Sequence, residues 1–233
     1  MTLDIMVRAD RVRLATLFQS DEEERYNLNG VFIEPAGNKG ANVVATNGHI
    51  LGAFHDDAAR ISASGIFIIP KLACAAIKAS KNRDFTWLGI MAGDDVRREG
   101  RIVDSLTGGL ASMEEIAEAL QEPTHRAVIW SGPIEVIKAE FPSYRTIFPQ
   151  EAAEAAPGAH FDTRYLALFG QVASDLGNKR GPIRVFANGA LPALVECGRL
   201  DFVGVIMPCR SEVGTLIKNG AMYELPPWAR GET

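Results

Sequence analysis

The residues able to make or break bonds are few and scattered. His49, His55, His125 and His160 lie apart in the chain, no serine sits in a G-x-S-x-G elbow, and no glycine-rich loop ends in Lys-Ser or Lys-Thr. Asp56-Asp57 is the pair that would suit a divalent-metal-dependent nuclease, but neighbours on an extended strand point to opposite faces. Asp94-Asp95, followed by Arg97-Arg98, reads as a charged turn. Cys74, Cys197 and Cys209 are odd in number and lack C-x-x-C spacing, so they suggest neither a disulfide framework nor a zinc site. No catalytic residue, metal or cofactor is assigned, which leaves binding as the function to look for.

The 233 residues allow one large or two small domains, and an apolar share of 47% is enough for a core. A net charge of -5 gives nucleic-acid binding no support by itself, since that rests on Lys and Arg neutralising phosphates; a local basic face is still compatible with it. The N-terminus lacks a basic region followed by a long apolar one, and no apolar run approaches the roughly 20 residues of a spanning helix. With the unpaired cysteines, this gives a cytoplasmic expectation.

The elements follow from periodicity. Residues 3–8 read as a strand, and Asp10 as the cap of a helix over 11–19 with Val12, Ala15 and Phe18 inward, leaving Arg11 and Arg13 off that face. Residues 21–24 are an acidic, solvated loop. A three-strand meander covers 25–54, with Tyr26, Leu28 and Phe32 on one face, Val31 and Ile33 on the other, and a tight turn at Asn47-Gly48. A strand over 63–69 ends at Pro70, which suits the first turn of a helix over 71–81 with Leu72, Ala75, Ala76 and Ala79 toward the sheet. Strands are expected at 85–91 and 100–106, and Ser112 with Glu115 forms a capping box that opens a helix to Leu120. A hairpin is expected across Ser131-Gly132-Pro133. After an Ala-, Glu- and Pro-rich linker over 150–158, Asp162 or Thr163 caps a helix carrying Tyr165, Leu166, Phe169, Val172, Ala173 and Leu176, ended by Gly177. Short strands follow at 183–187, 193–197 and 201–207.

Four separated stretches resemble the bacterial β sliding clamps, the processivity subunit of DNA polymerase III. Arg25, Tyr26, Leu28, Asn29 and Gly30 match R-Y-x-L-N-G; Val44, Ala45, Thr46, Gly48, His49 and Leu51 match V-A-T-D-G-H-R-L. Asn47 stands in place of Asp and Ile50 in place of Arg. Phe141 to Pro149 is similar to F-P-x-Y-R-x-x-x-P, and Val205 to Arg210 to V-V-M-P-M-R, with Cys209 in place of Met. The resemblance implies an α+β DNA clamp fold of repeated β-α-β-β-β units, antiparallel sheets with helices on one face. It covers 1–149 as one full domain with an insertion over about 92–125, and 159–210 as the second half of another; the tail 211–233 has no counterpart.

By the same resemblance the protein is a non-enzymatic processivity factor. It would contact duplex DNA without reading sequence through Arg8, Arg11, Arg13, Lys71, Lys78, Lys81, Arg83, Arg164, Lys179 and Arg180, which recur around three helices. Peptides of DNA polymerase and clamp-loader-type partners would enter a pocket lined by Leu28, Thr46, Gly48, His49, Leu51, Pro149, Val205, Ile206, Met207 and Pro208, where Met adapts to varied apolar anchors. Leu225, Pro226, Pro227 and Trp228 of the tail are expected to dock on the protein's own surface. Closing a ring would take a homo-oligomer. The alternatives are a monomeric clamp-derived peptide-binding module and the metal-dependent nuclease.

Overall fold

The computed structural model describes residues 2–37, 39–94, 96–149, 159–178 and 183–209, with the backbone of a short antiparallel ladder between Ile217–Lys218 and Met222–Tyr223. The expected linker over 150–158, Lys179, Arg180, Arg210 and the docking of Leu225 to Trp228 lie outside the described residues. The chain forms two compact units. Unit 1 is Met1–Ser143 with Arg199–Gly204, and unit 2 is Tyr144–Gly198 with the chain from Val205.

Unit 1 repeats one pattern twice. The first copy is β1 (Leu3–Arg8), α1 (Ala9–Ala15), β2 (Val31–Pro35), β3 (Ala41–Thr46) and β4 (Ile50–Asp56), followed by the short β5 (Arg60–Ile61). The second is β6 (Gly65–Ile68), α2 (Lys71–Ala79), β7 (Thr86–Met91) and β8 (Arg97–Asp104), then α3 (Ser105–Gly108) and α4 (Met113–Gln121), and last β9 (Val128–Ile137). Each copy lends its first strand to the other: β1 pairs antiparallel with β7, and β6 pairs antiparallel with β2. The strand order is β4-β3-β2-β6-β9-β8-β7-β1-β5.

Helices cover both faces of this sheet. α1 packs on β1, β3, β4 and β7 and against α2. Met6, Trp87, Met91 and Val103 point the other way and pack on Ile116, Ala119 and Leu120 of α4. Alternation then assigns the buried Ile5, Val7, Leu88 and Ile90 to the α1 face. Gly89 lets α4 approach, since a Cβ there would lie 3.1 Å from Leu120. Burying Ile116 and Leu120 contributes about 1.5–3 kcal/mol each. Within 92–125, β8 is a regular strand of the repeat, and α3 and α4 have no counterpart in its first copy. Ser112 and Glu115 do form the capping box that opens α4.

Several local expectations are corrected. Glu23–Leu28 is a 3-10 helix, so the meander begins only at Val31, and Tyr26 is exposed. Asp10 lies inside α1, whose N-cap is Arg8 without a side-chain hydrogen bond; the Asp10 carboxylate is taken by Arg11 and Arg8. On α2 the inward pair is Ala73 and Ile77, while Leu72 is 75% exposed. Ile77 is the bulky group whose burial sets that phase. Ser131-Gly132-Pro133 makes no hairpin but continues β9, paired with Arg101, Gly100 and Glu99 of β8. β6 joins β9 only at Glu135 and beyond, so Pro133, which has no N–H, faces a partner on one side alone.

Unit 2 holds α5 (Thr163–Asp175), β10 (Arg184–Asn188), β11 (Leu191–Glu196) and the end of β12 (Phe202–Ile206). Asp162 caps α5 by accepting the Arg164 N–H, and Gly177, at φ +94°, ends it. Its core takes Phe169, Val172, Ala173 and Leu176 from the helix and Ala193 and Val195 from β11. Among the described residues no helix is long and apolar enough to cross a membrane.

Candidate functional site

The cations expected to share one role fall into two groups. On α2, Pro70 starts the helix in extended backbone, Ala73 and Ile77 go inward, and Lys71 and Lys78 are left in solvent, with Lys81 exposed just past the end and Arg83 half-buried. None of the three lysines makes an ion pair among the described residues. On α1 the outcome is the reverse: all seven residues of the helix are buried, with Arg11 8% and Arg13 5% exposed. The expectation that Arg11 and Arg13 stay off the packed face is thus corrected.

Arg11 donates to Asp10 at 2.8 Å and to Asp201, which is 190 residues away in the chain. Asp201 also takes Arg199 at 2.6 Å. Burial pushes the Asp10 carboxyl above its ordinary value despite Arg11 and Arg8 beside it. Asp201 is pushed up by its own burial too, but the hydrogen bond from Arg199 and the charge of Arg11 hold it below the ordinary carboxylate value. Arg8 lies over the Trp87 ring at 5.4 Å. In unit 2, Arg164 is exposed but folds back on Asp162, donating at 3.1 and 2.6 Å. That pairing raises the Arg164 pKa and lowers that of Asp162.

A polar cleft of about 320 Å³ in unit 1 is lined by Arg8, Arg11, His55, Asp56, Asp57, Leu200 and Asp201. Asp56 in it is buried and accepts the backbone N–H groups of Arg8 (2.7 Å) and Ala58 (3.1 Å), while Asp57 is exposed. Both Asp56 oxygens thus serve the backbone. Among the described residues no cluster of three or more His, Cys, Asp or Glu could hold a metal ion. Asp94 accepts N–H groups of Arg97 and Val96, which lower its pKa and build the expected turn; Asp95 lies outside the described residues.

Of the expected pocket residues in unit 1, Thr46, Gly48, His49 and Leu51 lie on one hairpin, between β3 and β4, and Leu28 ends the 3-10 helix before β2. Asn47 turns the chain: its carboxamide oxygen accepts the N–H of His49 (2.9 Å) and of Ile50 (3.0 Å), and Gly48 takes φ +87°. Thr46 locks the base of the turn, its hydroxyl donating to the Ile50 carbonyl at 2.7 Å and accepting the Gly48 N–H at 3.1 Å. Gly48 and His49 are exposed at the tip, and Leu28 and Leu51 are buried. Ile50 is buried as well, so the hairpin tip carries no Lys or Arg of its own. Sequence reasoning missed that Arg25 supplies one, its guanidinium donating to the Asn47 carbonyl at 3.0 Å. Arg25 stood in the quoted R-Y-x-L-N-G stretch, but only a three-dimensional contact gives it this place.

The remaining pocket residues belong to unit 2. Val205 and Ile206 are core, while Pro149, Met207 and Pro208 are half-buried and open to solvent in part. Cys209 N–H donates to the His160 carbonyl at 2.7 Å and fixes the strand end beyond Pro208.

No protein-family model matches the sequence, and no curated protein matches it. Solved structures do match the fold. It is similar to a DNA polymerase sliding clamp from Pseudomonas aeruginosa at 16% identity and a TM-score of 0.55, over 88% of this chain and 65% of that one. For the sliding clamp of Bacillus subtilis the values are 13%, 0.58, 90% and 64%. For the β sliding clamp of C. crescentus, whose structure has PEG bound at a putative β-motif tethering region, they are 17%, 0.57, 91% and 66%. The fold is that of the bacterial sliding clamps, and the chain spans about two thirds of their length, 65% for the first of them.

Proposed function

We propose that this chain, folded as the bacterial sliding clamps are, is a clamp-like, non-enzymatic processivity factor. It holds duplex DNA by phosphate contacts without reading sequence, and it takes short peptide segments of polymerase and clamp-loader-type partners. One observation carries the DNA half: α2 presents Lys71, Lys78 and, just past its end, Lys81, all exposed and free of ion pairs among the described residues. Such cations bind a phosphate backbone by releasing its counterions, which lets a duplex slide. For peptides, the accessible groups are Gly48 and His49 in unit 1 and Pro149, Met207 and Pro208 in unit 2. Leu28, Thr46 and Leu51 of unit 1 and Val205 and Ile206 of unit 2 are buried.

The test is a salt titration of binding to two duplexes of unrelated sequence. Equal affinities are expected, with log K falling linearly against log salt. K71A/K78A/K81A should flatten that slope by about 2–3, one phosphate contact for each lysine lost. An unchanged slope sinks the assignment to α2. The burial of Arg11 and Arg13 favours a second reading, a monomeric peptide-binding module without a ring, because it takes two cations from the DNA-facing set. That reading expects peptide binding with no measurable duplex affinity.

A further inference from the structure

The turn over 80–85, which follows α2, puts its polar groups in and its apolar one out. Ser80 Oγ donates to the buried Asp104 carboxylate at 2.9 Å and accepts the Asn82 N–H at 3.0 Å. The Asn82 carboxamide donates to Asp104 at 3.4 Å and to the Thr107 hydroxyl at 3.2 Å. Phe85, by contrast, is 50% exposed, the most open phenylalanine among the described residues, and its ring makes no aromatic or cation–π contact among them. The backbone that carries the ring is pinned: the Phe85 N–H donates to the Asn82 carbonyl at 2.8 Å, its carbonyl accepts from Ser105 Oγ at 2.9 Å, and the hydroxyl of the buried Thr86 donates to the Arg83 carbonyl at 2.7 Å. Lys78, Lys81 and Arg83 stand against the single Asp84 in this stretch, on a chain of net charge -5. Leu106, next to Ser105, is exposed as well.

We propose that Phe85 is a stacking platform for an unpaired base, with Lys78 and Lys81 holding phosphates of the same strand, so that the C-terminal end of α2 is a site for single-stranded DNA. This rests on the reading of α2 as the helix that holds phosphates and adds that the strand taken at this end is unpaired. Every base has a π-face, so a phenyl ring accepts any of them and the site reads no sequence. Inside a duplex those faces are covered by neighbouring pairs, and the ring has no hydrogen bond to offer a base edge. An apolar peptide would cover Phe85 and leave Lys78 and Lys81 unmatched, whereas a nucleotide meets the ring with its base and the cations with its phosphate.

Three fluorescent DNA hairpins test it by anisotropy: one blunt, one with a single-stranded tail of thymines, and one with a tail of abasic sites, which keeps the phosphates and removes the bases. One stacked base sets the expected preference for the thymine tail over the abasic tail at about five-fold or more. F85A should bring those two affinities together and leave the blunt hairpin unchanged, and F85W should restore the preference; melting curves check that both variants fold. Equal binding of the two tails by the wild type, or a preference untouched by F85A, overturns the proposal and leaves the phosphate reading of α2 standing. A loss in F85A that is the same for all three hairpins overturns it too, since the ring then serves no base. Failure of every hairpin to bind overturns the phosphate reading as well.

Discussion

Replacing Arg11 by Met separates a structural role from a DNA-contact role at a single position. Arg11 is 8% exposed, and its guanidinium bridges Asp10 and Asp201. Two unit charges about 4 Å apart interact by about 4 kcal/mol at an effective dielectric near 20. Removing one member of a buried pair costs about 3–5 kcal/mol, because the other is left uncompensated. Asp10, 3% exposed, is left with Arg8 alone, at the longer distance of 3.7 Å; the Asp201 side chain is 25% exposed and keeps Arg199, which screens its share to about 1 kcal/mol or less. R11M should therefore lower the unfolding free energy in urea near neutral pH by about 3–4 kcal/mol, and D10N added to it should recover part of the loss.

The loss should also shrink in mild acid. Asp10 has its folded-state pKa raised above 3.8, so its favourable contribution is complete below that value and is lost as pH rises through the raised one. Without Arg11 the raised value moves higher still, and the variant recovers relative to wild type as pH falls from neutrality toward 3.8. Asp201 has the opposite shift: its contribution is present above 3.8 and is lost only as pH falls through its lowered value, below that window. Duplex affinity, read by anisotropy where the variant remains folded, should not change. A stability loss under about 1 kcal/mol refutes the buried-pair reasoning, and a fall in duplex affinity with the fold intact returns Arg11 to the DNA-facing set.

Ser112→Ala should cost about 1 kcal/mol in the same urea assay and speed amide exchange in the first turn of α4, since it removes the acceptor for the Glu115 N–H. Gly48→Ala should destabilise by about 1 kcal/mol or more, because it places a Cβ at φ +87° against Arg25, and it should weaken peptide binding together with stability.

What could be read in advance was local. The capping box of α4, the Asn47-Gly48 turn, Pro70 before α2, and α5 between Asp162 and Gly177 each depend on residues a few positions apart, and each is in place. The phase of α2 was misjudged because its run of alanines fits two stripes equally well, and only the pull of Ile77 toward the core decides between them. β9 was misread because Gly and Pro punctuate most chains but here sit on a stretch paired along one side. The burial of Arg11 was invisible for a different reason: its partner Asp201 comes from the far end of the sequence. α4 on the second face of the sheet was likewise hidden, since the order of elements does not say which face an added helix takes.

The most direct test of the clamp reading is topological. The protein would be assembled on a nicked circular duplex, its molar mass followed by light scattering, and the circle then cut once. A stable oligomer that stays on the circle through gel filtration and is released when the DNA becomes linear is the expected result. A monomer at every concentration, washing off circular and linear DNA alike, would contradict it.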